Sequence, residues 1–260
     1  MREQLKTKNE KLNLRTIKPA DMKRTSLLII FLFSFLAGIY AQDMRLDEIL
    51  DHYFKANGFD KLQKVQTIVM KGSLTQQDIM PVKQIKMRPD KYFMEFDVAD
   101  ITAYQAYDGK TAWRTAPWTG NPKPQLMNEE ASNDARYRAV FDGLLYNWKS
   151  QGHAAELIGK DSVGVIPVYK IKLTRNDKGI EYYYIDTRDF MLQKRVYYRI
   201  IRGKEAEVGN FFRDYRDIEG IKFPFTIDAT MDGQPYSSIQ YDTIELNPPV
   251  DQKIFEMPVN

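Results

Sequence analysis

Few residues in this chain have the types or the spacing that catalysis requires. The two histidines, His52 and His153, have no GxSxG nucleophile elbow beside them, and HExxH zinc motifs and Gly-rich phosphate loops do not occur. The chain has no cysteine, which excludes disulfides, thiolate metal sites and cysteine nucleophiles. We therefore predict no metal site and no cofactor, and we expect both histidines at the protein surface.

Carboxylates are plentiful, but their spacing does not indicate an active site. Glu129 is followed by Glu130, and Asp186 lies close to Asp189 in the chain. A glycosidase needs two carboxylates about 5–10 Å apart in a cleft, and nothing in the sequence selects one pair over another. Solvated surface charge explains these residues better, so we predict that the protein is not an enzyme.

The charge of the chain is concentrated at its N-terminus. The formal net charge is +3, from 38 Lys and Arg and 35 Asp and Glu. Residues 1–41 hold eight of the bases and three of the acids, which leaves 30 bases and 32 acids in residues 42–260. A body with a net charge of −2 argues against nucleic acid as a partner.

Residues 22–41 have the pattern of a secretory signal peptide. Lys23 and Arg24 precede an apolar core over residues 27–36, and small residues lead to Ala41. This core is shorter than the about 20 apolar residues of a membrane span, although an uncleaved anchor is the alternative. We predict that residues 1–41 form an N-terminal extension and signal peptide, with cleavage near Ala41. The sequence leaves open whether Met1 or Met22 starts the protein.

The predicted mature domain, residues 42–260, begins with a helix. Apolar residues follow the helical period i, i+3, i+4, i+7, i+8, and the helix is expected to end at Asn57 and Gly58. A short helical piece is predicted around residues 60–65, and a second helix over residues 132–149. The apolar stripes of the two main helices are Leu46, Ile49, Leu50, Tyr53 and Phe54 in the first, and Tyr137, Val140, Phe141, Leu144 and Trp148 in the second.

Elsewhere the apolar period is two, which is typical of strands. Strands are predicted over residues 65–75, 82–87, 91–98, 102–107, 111–115, 156–160, 168–174, 181–186, 192–201, 205–215, 222–231 and 236–244. Asp108-Gly109 indicates a hairpin, and residues 118–124 are expected to form a loop because of Gly120, Pro122 and Pro124. The fold class is therefore mainly β (α+β). One face of the predicted sheet is apolar along most strands and must be shielded from water. We therefore expect a curved antiparallel sheet wrapped over the helices, with a cavity.

Residues 88–118 carry a more specific pattern. A strand ends in Arg88-Pro89, an aromatic strand with Tyr92, Phe93, Met94 and Phe96 follows, and a further strand leads into Asp-Gly-Lys-Thr and Trp113. This block resembles the LolA/LolB-like family of outer-membrane lipoprotein-sorting proteins. The order of elements is similar over most of residues 42–260, and so is the C-terminal NPPVDQKIFEMPVN.

The resemblance implies an open half-barrel of about 11 antiparallel strands, with helices covering the concave apolar face. It implies that Arg88 is the latch that holds the lid helices closed, a role that suits the five donors of arginine. It also places Tyr92 at an aromatic position, commonly Phe, inside the ligand cavity. A hydroxyl at this position needs a partner or water.

Alternation along the strands and helices adds further site residues. Met94, Phe96, Phe223, Phe225 and Ile227 are predicted to line the cavity with Tyr92. Leu50 and Phe54 of the first helix, and Leu144 and Trp148 of the second, are predicted lid contacts. For each of these residues core packing is the alternative explanation.

These features together predict a periplasmic carrier, a chaperone that binds lipoprotein acyl chains in its cavity and helps to sort them to the outer membrane. The expected partners are acyl chains and transfer proteins of the inner and outer membranes, and the protein is expected to be a monomer. Two alternatives stay open: a binding module for another lipid or small apolar ligand, and a domain that senses lipoproteins. The dense tyrosines at 182–184 and 197–198 are more polar than an acyl-only cavity needs.

Overall fold

Thirteen strands and three α-helices make up the part of the chain that the computed structural model describes, residues 44–98, 101–201 and 203–258. The predicted signal peptide and its cleavage site lie outside these residues. The helices are α1 (Leu46–Ala56), α2 (Phe59–Leu62) and α3 (Glu129–Ala139), and short 3-10 turns occur at Pro117–Thr119 and Gln252–Phe255. The strands are β1 (Thr67–Thr75), β2 (Ile79–Met87), β3 (Lys91–Val98), β4 (Ile101–Tyr107), β5 (Ala112–Ala116), β6 (Asn121–Leu126), β7 (Ala154–Val163), β8 (Ile166–Thr174), β9 (Ile180–Asp186), β10 (Leu192–Ile201), β11 (Lys204–Ile218), β12 (Ile221–Met231) and β13 (Gln234–Leu246).

All the strands belong to one antiparallel sheet, in the order β6-β5-β4-β3-β2-β1-β13-β12-β11-β10-β9-β8-β7. The first and last strands in the chain, β1 and β13, pair at the centre, with Ile68 opposite Leu246. Each half of the chain then adds neighbouring strands outward. The two edge strands, β6 and β7, do not pair with each other, so the sheet stays open. The predicted mainly β fold with an open curved sheet is confirmed.

One strand was not predicted. The segment expected to be a loop contains β6, which carries Pro122 and Pro124 and pairs with β5. Proline cannot donate a ladder hydrogen bond, but an edge strand tolerates it because one of its sides faces no partner. The sheet therefore has thirteen strands rather than about eleven.

The first two helices are fixed to the centre of the sheet through a glycine. Gly58 lies between α1 and α2 with φ +71°, and a Cβ atom there would come 2.1 Å from the carbonyl oxygen of Gly220. The neighbouring Asn57 carbonyl accepts a hydrogen bond of 3.2 Å from the Lys222 backbone N–H. Only glycine permits this close approach of the helix pair to the turn before β12.

The prediction for the second long helix was wrong at both ends. Helix α3 begins earlier, because the Asn128 side chain caps it by accepting a 2.9 Å hydrogen bond from the Ala131 N–H. It ends at Ala139, where Val140 turns to ψ 112°, and Gly143 then has φ +75°. Residues 140–152, which we call the lid segment, are a succession of turns whose apolar side chains still pack inward.

The described residues bury four apolar clusters. Two lie under the helices: one joins α1 and the lid segment to β8 and β9, and the other joins α2 and Phe141 to β1, β12 and β13. A third packs α3 on β3 and β4, and a fourth packs the C-terminal turn on the opposite face of the sheet, where the Trp113 indole donates to the Phe255 carbonyl at 2.8 Å. None of the described helices is long and apolar enough to span a membrane.

Candidate functional site

A cavity of about 780 Å³ lies on the helix-covered face of the sheet. Its walls come from β1–β4 and β9–β13, and its cover comes from α1, α3 and the lid segment. Many of the side chains that face the space are apolar: Phe54, Leu74, Met94, Phe96, Val98, Leu144, Phe212, Ile227 and Ile239. The volume falls within the about 300–1,000 Å³ that small-molecule sites occupy.

The start of the lid segment is held by three consecutive side-chain contacts, which we call the clasp. Lys86 Nζ donates to the Val140 carbonyl at 3.1 Å, and an Asp90 oxygen accepts from the Phe141 N–H at 3.3 Å. Arg88 lies between these two along the chain and binds Asp142. Lys86 and Arg88 project to the same side of the sheet because they are two residues apart at the end of β2.

Arg88 uses four of its five donors in the clasp. Its two terminal nitrogens donate to the two Asp142 oxygens at 2.7 and 2.6 Å, which is the bidentate geometry that suits arginine best. Two further donors reach the Val65 and Leu62 carbonyls at 2.7 and 3.1 Å, so the guanidinium also binds the end of α2. The Phe141 ring lies 4.2 Å from the guanidinium carbon. Both partners of the ion pair are about four-fifths buried.

The clasp shifts the pKa values of two of its members. Burial lowers the pKa of Lys86 to about 8, and the nearby Arg195 and Arg138 add to that effect, while Asp90 and Asp142 oppose it. Burial also raises the pKa of Asp90, an effect that its hydrogen bond from Phe141 partly offsets. The carbonyl of Val140 is therefore held by a cation that can lose its proton at mildly alkaline pH.

A smaller recess of about 70 Å³ adjoins the cavity. Tyr92, Gln105, Asp134, Arg138 and Arg199 line both spaces, so they form the boundary between them. Arg114 of β5 lines the recess only. Apart from Asp134, every charged side chain in the wall of the recess is an arginine.

A buried carboxylate organises the opposite wall of the cavity. Glu181 is fully buried and accepts from Arg195 at 2.8 Å, from Arg175 at 3.0 Å and from the Tyr183 hydroxyl at 2.7 Å. Burial disfavours the ionised form of Glu181, but these three donors outweigh it and hold its pKa below the ordinary value. Arg175 and Arg195 can face a largely apolar cavity because Glu181 neutralises part of their charge through these ion pairs.

Of the six residues predicted to line the cavity, Tyr92, Met94, Phe96 and Ile227 lie in its wall. Phe223 and Phe225 share a face of β12 with Ile227, but they pack in the core cluster under α2. Of the predicted lid contacts, Phe54 and Leu144 line the cavity. Leu50 is buried between α1 and the sheet, and Trp148 packs at the margin of the same cluster.

The clustered tyrosines of β9 and β10 lie on both faces of the sheet, because successive residues of a strand point to opposite faces. Tyr183 and Tyr197 face the cavity, whereas Tyr182 and Tyr184 lie on the other face, where the Lys170 ammonium is 5.2 and 5.4 Å from their rings. Cavity-facing tyrosines make the wall amphipathic rather than purely apolar.

Both histidines were expected at the surface, and this is correct for His52 but wrong for His153. His52 is exposed and stacks on Phe190 with ring centroids 4.7 Å apart, as a surface residue can. His153 is not at the surface: it is 8% exposed, its Nδ1 accepts from the Asn176 N–H at 3.1 Å, and burial lowers its pKa. Neither histidine lines the cavity. No group of three or more His, Cys, Asp or Glu within residues 44–98, 101–201 and 203–258 is arranged to hold a metal ion.

Three residues of the candidate site were missed in the sequence. Asp142 was placed inside a helix, where its role as partner of Arg88 was not visible. Gly143 was the available signal, because a glycine in the middle of a predicted helix often marks its end. Arg114 and Arg138 gave no signal of their own, because only the pairing of strands and the position of α3 bring them together.

Comparison with known proteins supports the fold. No protein-family profile and no curated protein sequence matches the chain. The solved structures that are similar to it include a LolA superfamily protein from Nitrosomonas europaea, a DUF1329 family protein from Desulfovibrio piger, and a domain from Vibrio parahaemolyticus named for outer membrane lipoprotein sorting. This chain has a LolA-like fold.

The LolA-like fold extends over nearly the whole length of these relatives. The TM-scores are 0.56, 0.56 and 0.54, with 14%, 12% and 10% sequence identity in the same order. The matches cover 82%, 80% and 80% of this chain and 97% of each of the others. The resemblance predicted from residues 88–118 is thus confirmed at the level of the fold.

Proposed function

We propose that this protein is a periplasmic carrier that binds acyl chains in the 780 Å³ cavity and helps to sort lipoproteins to the outer membrane. The observation that carries the proposal is a wide, mostly apolar cavity covered by a lid that a few polar contacts hold. The LolA-like fold of the chain agrees with it. Each methylene group that leaves water contributes about 0.8 kcal/mol to binding, so a long chain gains enough to be held.

The proposed release step uses the clasp. In the closed state Arg88 ties Asp142 of the lid segment to the ends of β2 and α2. A cargo that fills the cavity pushes the lid segment outward and breaks these bonds. Re-forming them favours the closed, empty state and so promotes delivery, which is the latch role proposed for Arg88.

The proposal includes no catalytic step and no cofactor. The charged groups in the cavity wall lie mostly in ion pairs, as Arg195 does with Glu181 and Arg199 with Asp134. In the proposal, residues 1–41 are removed near Ala41 and residues 42–260 act in the periplasm as a monomer. Transfer proteins of the inner and outer membranes load and unload it, and nucleic acid is not a partner.

The test is to purify the protein from the envelope of producing cells and to identify its ligand by native mass spectrometry and extraction. A triacylated lipoprotein as the bound species supports the carrier. The Arg88→Leu variant should carry more cargo, because the closed state that expels it is weakened. Arg188→Leu is the matched control, since Arg188 is 72% exposed and pairs with Asp186 away from the cavity.

Other outcomes separate the alternatives. A uniform small lipid would make the protein a lipid-binding module, a reading that the cationic cavity wall favours. An empty protein that takes up no acyl probe would overturn the carrier and leave a sensing or interaction domain.

A further inference from the structure

The wall of the recess beside the cavity contains more arginine side chains than carboxylates that could pair with them. Arg199 Nε lies 2.5 Å from an Asp134 oxygen, which neutralises one cation. Arg114 and Arg138 form no ion pair with any carboxylate of the described residues. Two guanidinium groups are therefore left to face a space of about 70 Å³.

Arg138 is accessible to a ligand. Its side chain is exposed and lines both the cavity and the recess. Its guanidinium carbon is 5.6 Å from the centre of the Tyr92 ring. Arg138 thus stands where the large apolar space meets the small polar one.

A buried hydroxyl at the same boundary lacks an acceptor. Tyr92 is 2% exposed, and its hydroxyl donates to no described residue, although its oxygen lies beside the Arg138 guanidinium. Burial raises the pKa of Tyr92, while Arg138 opposes that shift, so the phenol keeps its proton at neutral pH. An unused donor in a buried position carries a free-energy cost that an acceptor on a ligand would remove.

We propose that the recess binds the negatively charged head group of an amphiphile, a phosphate monoester or a carboxylate, while its alkyl chain lies in the cavity. Arg138 and Arg114 supply charge-assisted hydrogen bonds, and the Tyr92 hydroxyl donates a third. The chain would run from the boundary along Met94 and Phe96 of β3, which line the cavity beside Tyr92.

This inference rests on the acyl-chain binding of the proposed function, and it favours an anionic lipid over a lipoprotein as the bound molecule. The acylated end of a lipoprotein presents esters and an amide, which carry no charge and would leave both guanidinium groups without a counter-ion. An anionic amphiphile neutralises them, and a hydrogen bond between charged groups is about twice as strong as one between neutral groups.

The test measures the affinity of the purified, delipidated protein for three probes with the same alkyl chain, by isothermal titration calorimetry. Dodecyl phosphate and dodecanoate carry the two anionic heads, and dodecanol carries a neutral one. At least one anionic probe should bind about 10-fold more tightly than dodecanol, the effect of one hydrogen bond to a charged group. The anion that binds more tightly identifies the head group.

Variants on two different elements keep the test independent of folding defects. Arg138→Gln on α3 and Arg114→Gln on β5 should each remove most of the about 10-fold preference and leave dodecanol binding unchanged. Arg136→Gln is the matched control, because Arg136 is exposed on the same helix and lines neither space. It should keep the wild-type preference.

Three results would overturn the inference. Equal binding of all three probes would show that the recess does not select an anion, while the carrier proposal would stand. Binding of inorganic phosphate as tight as that of dodecyl phosphate would show that the chain contributes nothing. Failure of all three probes to bind would remove the proposed function together with the inference.

Discussion

The clasp and the recess both use cations, but they use them in opposite ways. In the clasp, the Arg88 guanidinium donates hydrogen bonds to one carboxylate and two carbonyls of the protein. In the recess, Arg114 and Arg138 have no carboxylate partner among the described residues. The first arrangement holds a segment of the chain, and the second is available to a ligand.

Strand β12 shows a similar contrast among apolar residues. Phe223, Phe225 and Ile227 share one face of the strand, yet the two phenylalanines are core residues under α2 and only Ile227 reaches the cavity. Helix α2 and Phe141 pack on the end of this face that carries the phenylalanines, and the cavity lies over the rest of it. Whether an apolar side chain on this face is a core residue or lines the cavity therefore depends on which helix or segment packs over it.

The largest expected effect comes from breaking the clasp. Arg88→Leu should lower the free energy of unfolding by about 3 kcal/mol, because Asp142 and two carbonyls lose their donors in a mostly buried site. Urea denaturation measures this. The exposed control Arg188→Leu should change stability by less than about 0.5 kcal/mol, and an equal loss in both variants would remove the special role of the clasp.

The pH dependence of stability should come partly from Lys86. Its pKa is about 8 in the folded protein and 10.5 in the unfolded chain, so the unfolded state binds more protons between these values. Stability should therefore rise with pH across that range, by about 2 kcal/mol relative to Lys86→Met. Urea denaturation at a series of pH values measures the difference, and parallel curves for the two proteins would contradict it.

Filling the cavity should reduce uptake of an acyl probe without unfolding the protein. Ala229 of β12 lines the cavity, and Ala229→Trp would place an indole in the space that the chain needs. We expect about 10-fold weaker binding of a fluorescent fatty acid, equal to the loss of about two methylene contacts. Ala154→Trp, on the exposed side of edge strand β7, should bind like the wild type.

The smallest effect should come from Tyr92→Phe. Removing a buried hydroxyl that lacks an acceptor should raise the free energy of unfolding of the empty protein by about 0.5–1 kcal/mol. The same change should weaken dodecyl phosphate or dodecanoate binding by about threefold and leave dodecanol unaffected. A loss of stability in the variant would show that the hydroxyl is already satisfied in the empty protein.

Much of the fold could be predicted because it follows from local patterns. The period-two runs identified twelve of the thirteen strands, and the missing one, β6, was hidden by prolines that only an edge position tolerates. The helical stripe of residues 132–149 was correct about which side chains face inward, but not about the backbone. Val140, Phe141 and Leu144 pack inward from turns, since a turn can present apolar side chains without helical geometry.

The site was predictable only in part, because its residues come from distant places in the sequence. The Arg88 position came from resemblance, but its partner Asp142 is 54 residues away. Arg114 and Arg138 meet in the recess because β5 lies beside β4 in one wing of the sheet, where α3 packs on β3 and β4. No spacing in the sequence reveals such a meeting.

The sequence by itself determined the antiparallel strands and the apolar face, because these depend on residue type and on the period of two. The tertiary structure alone decided which apolar residues became core and which became cavity wall, and which cations found a carboxylate. The reason is that both outcomes depend on long-range pairing, in which the open sheet brings its two wings and the lid segment around one space.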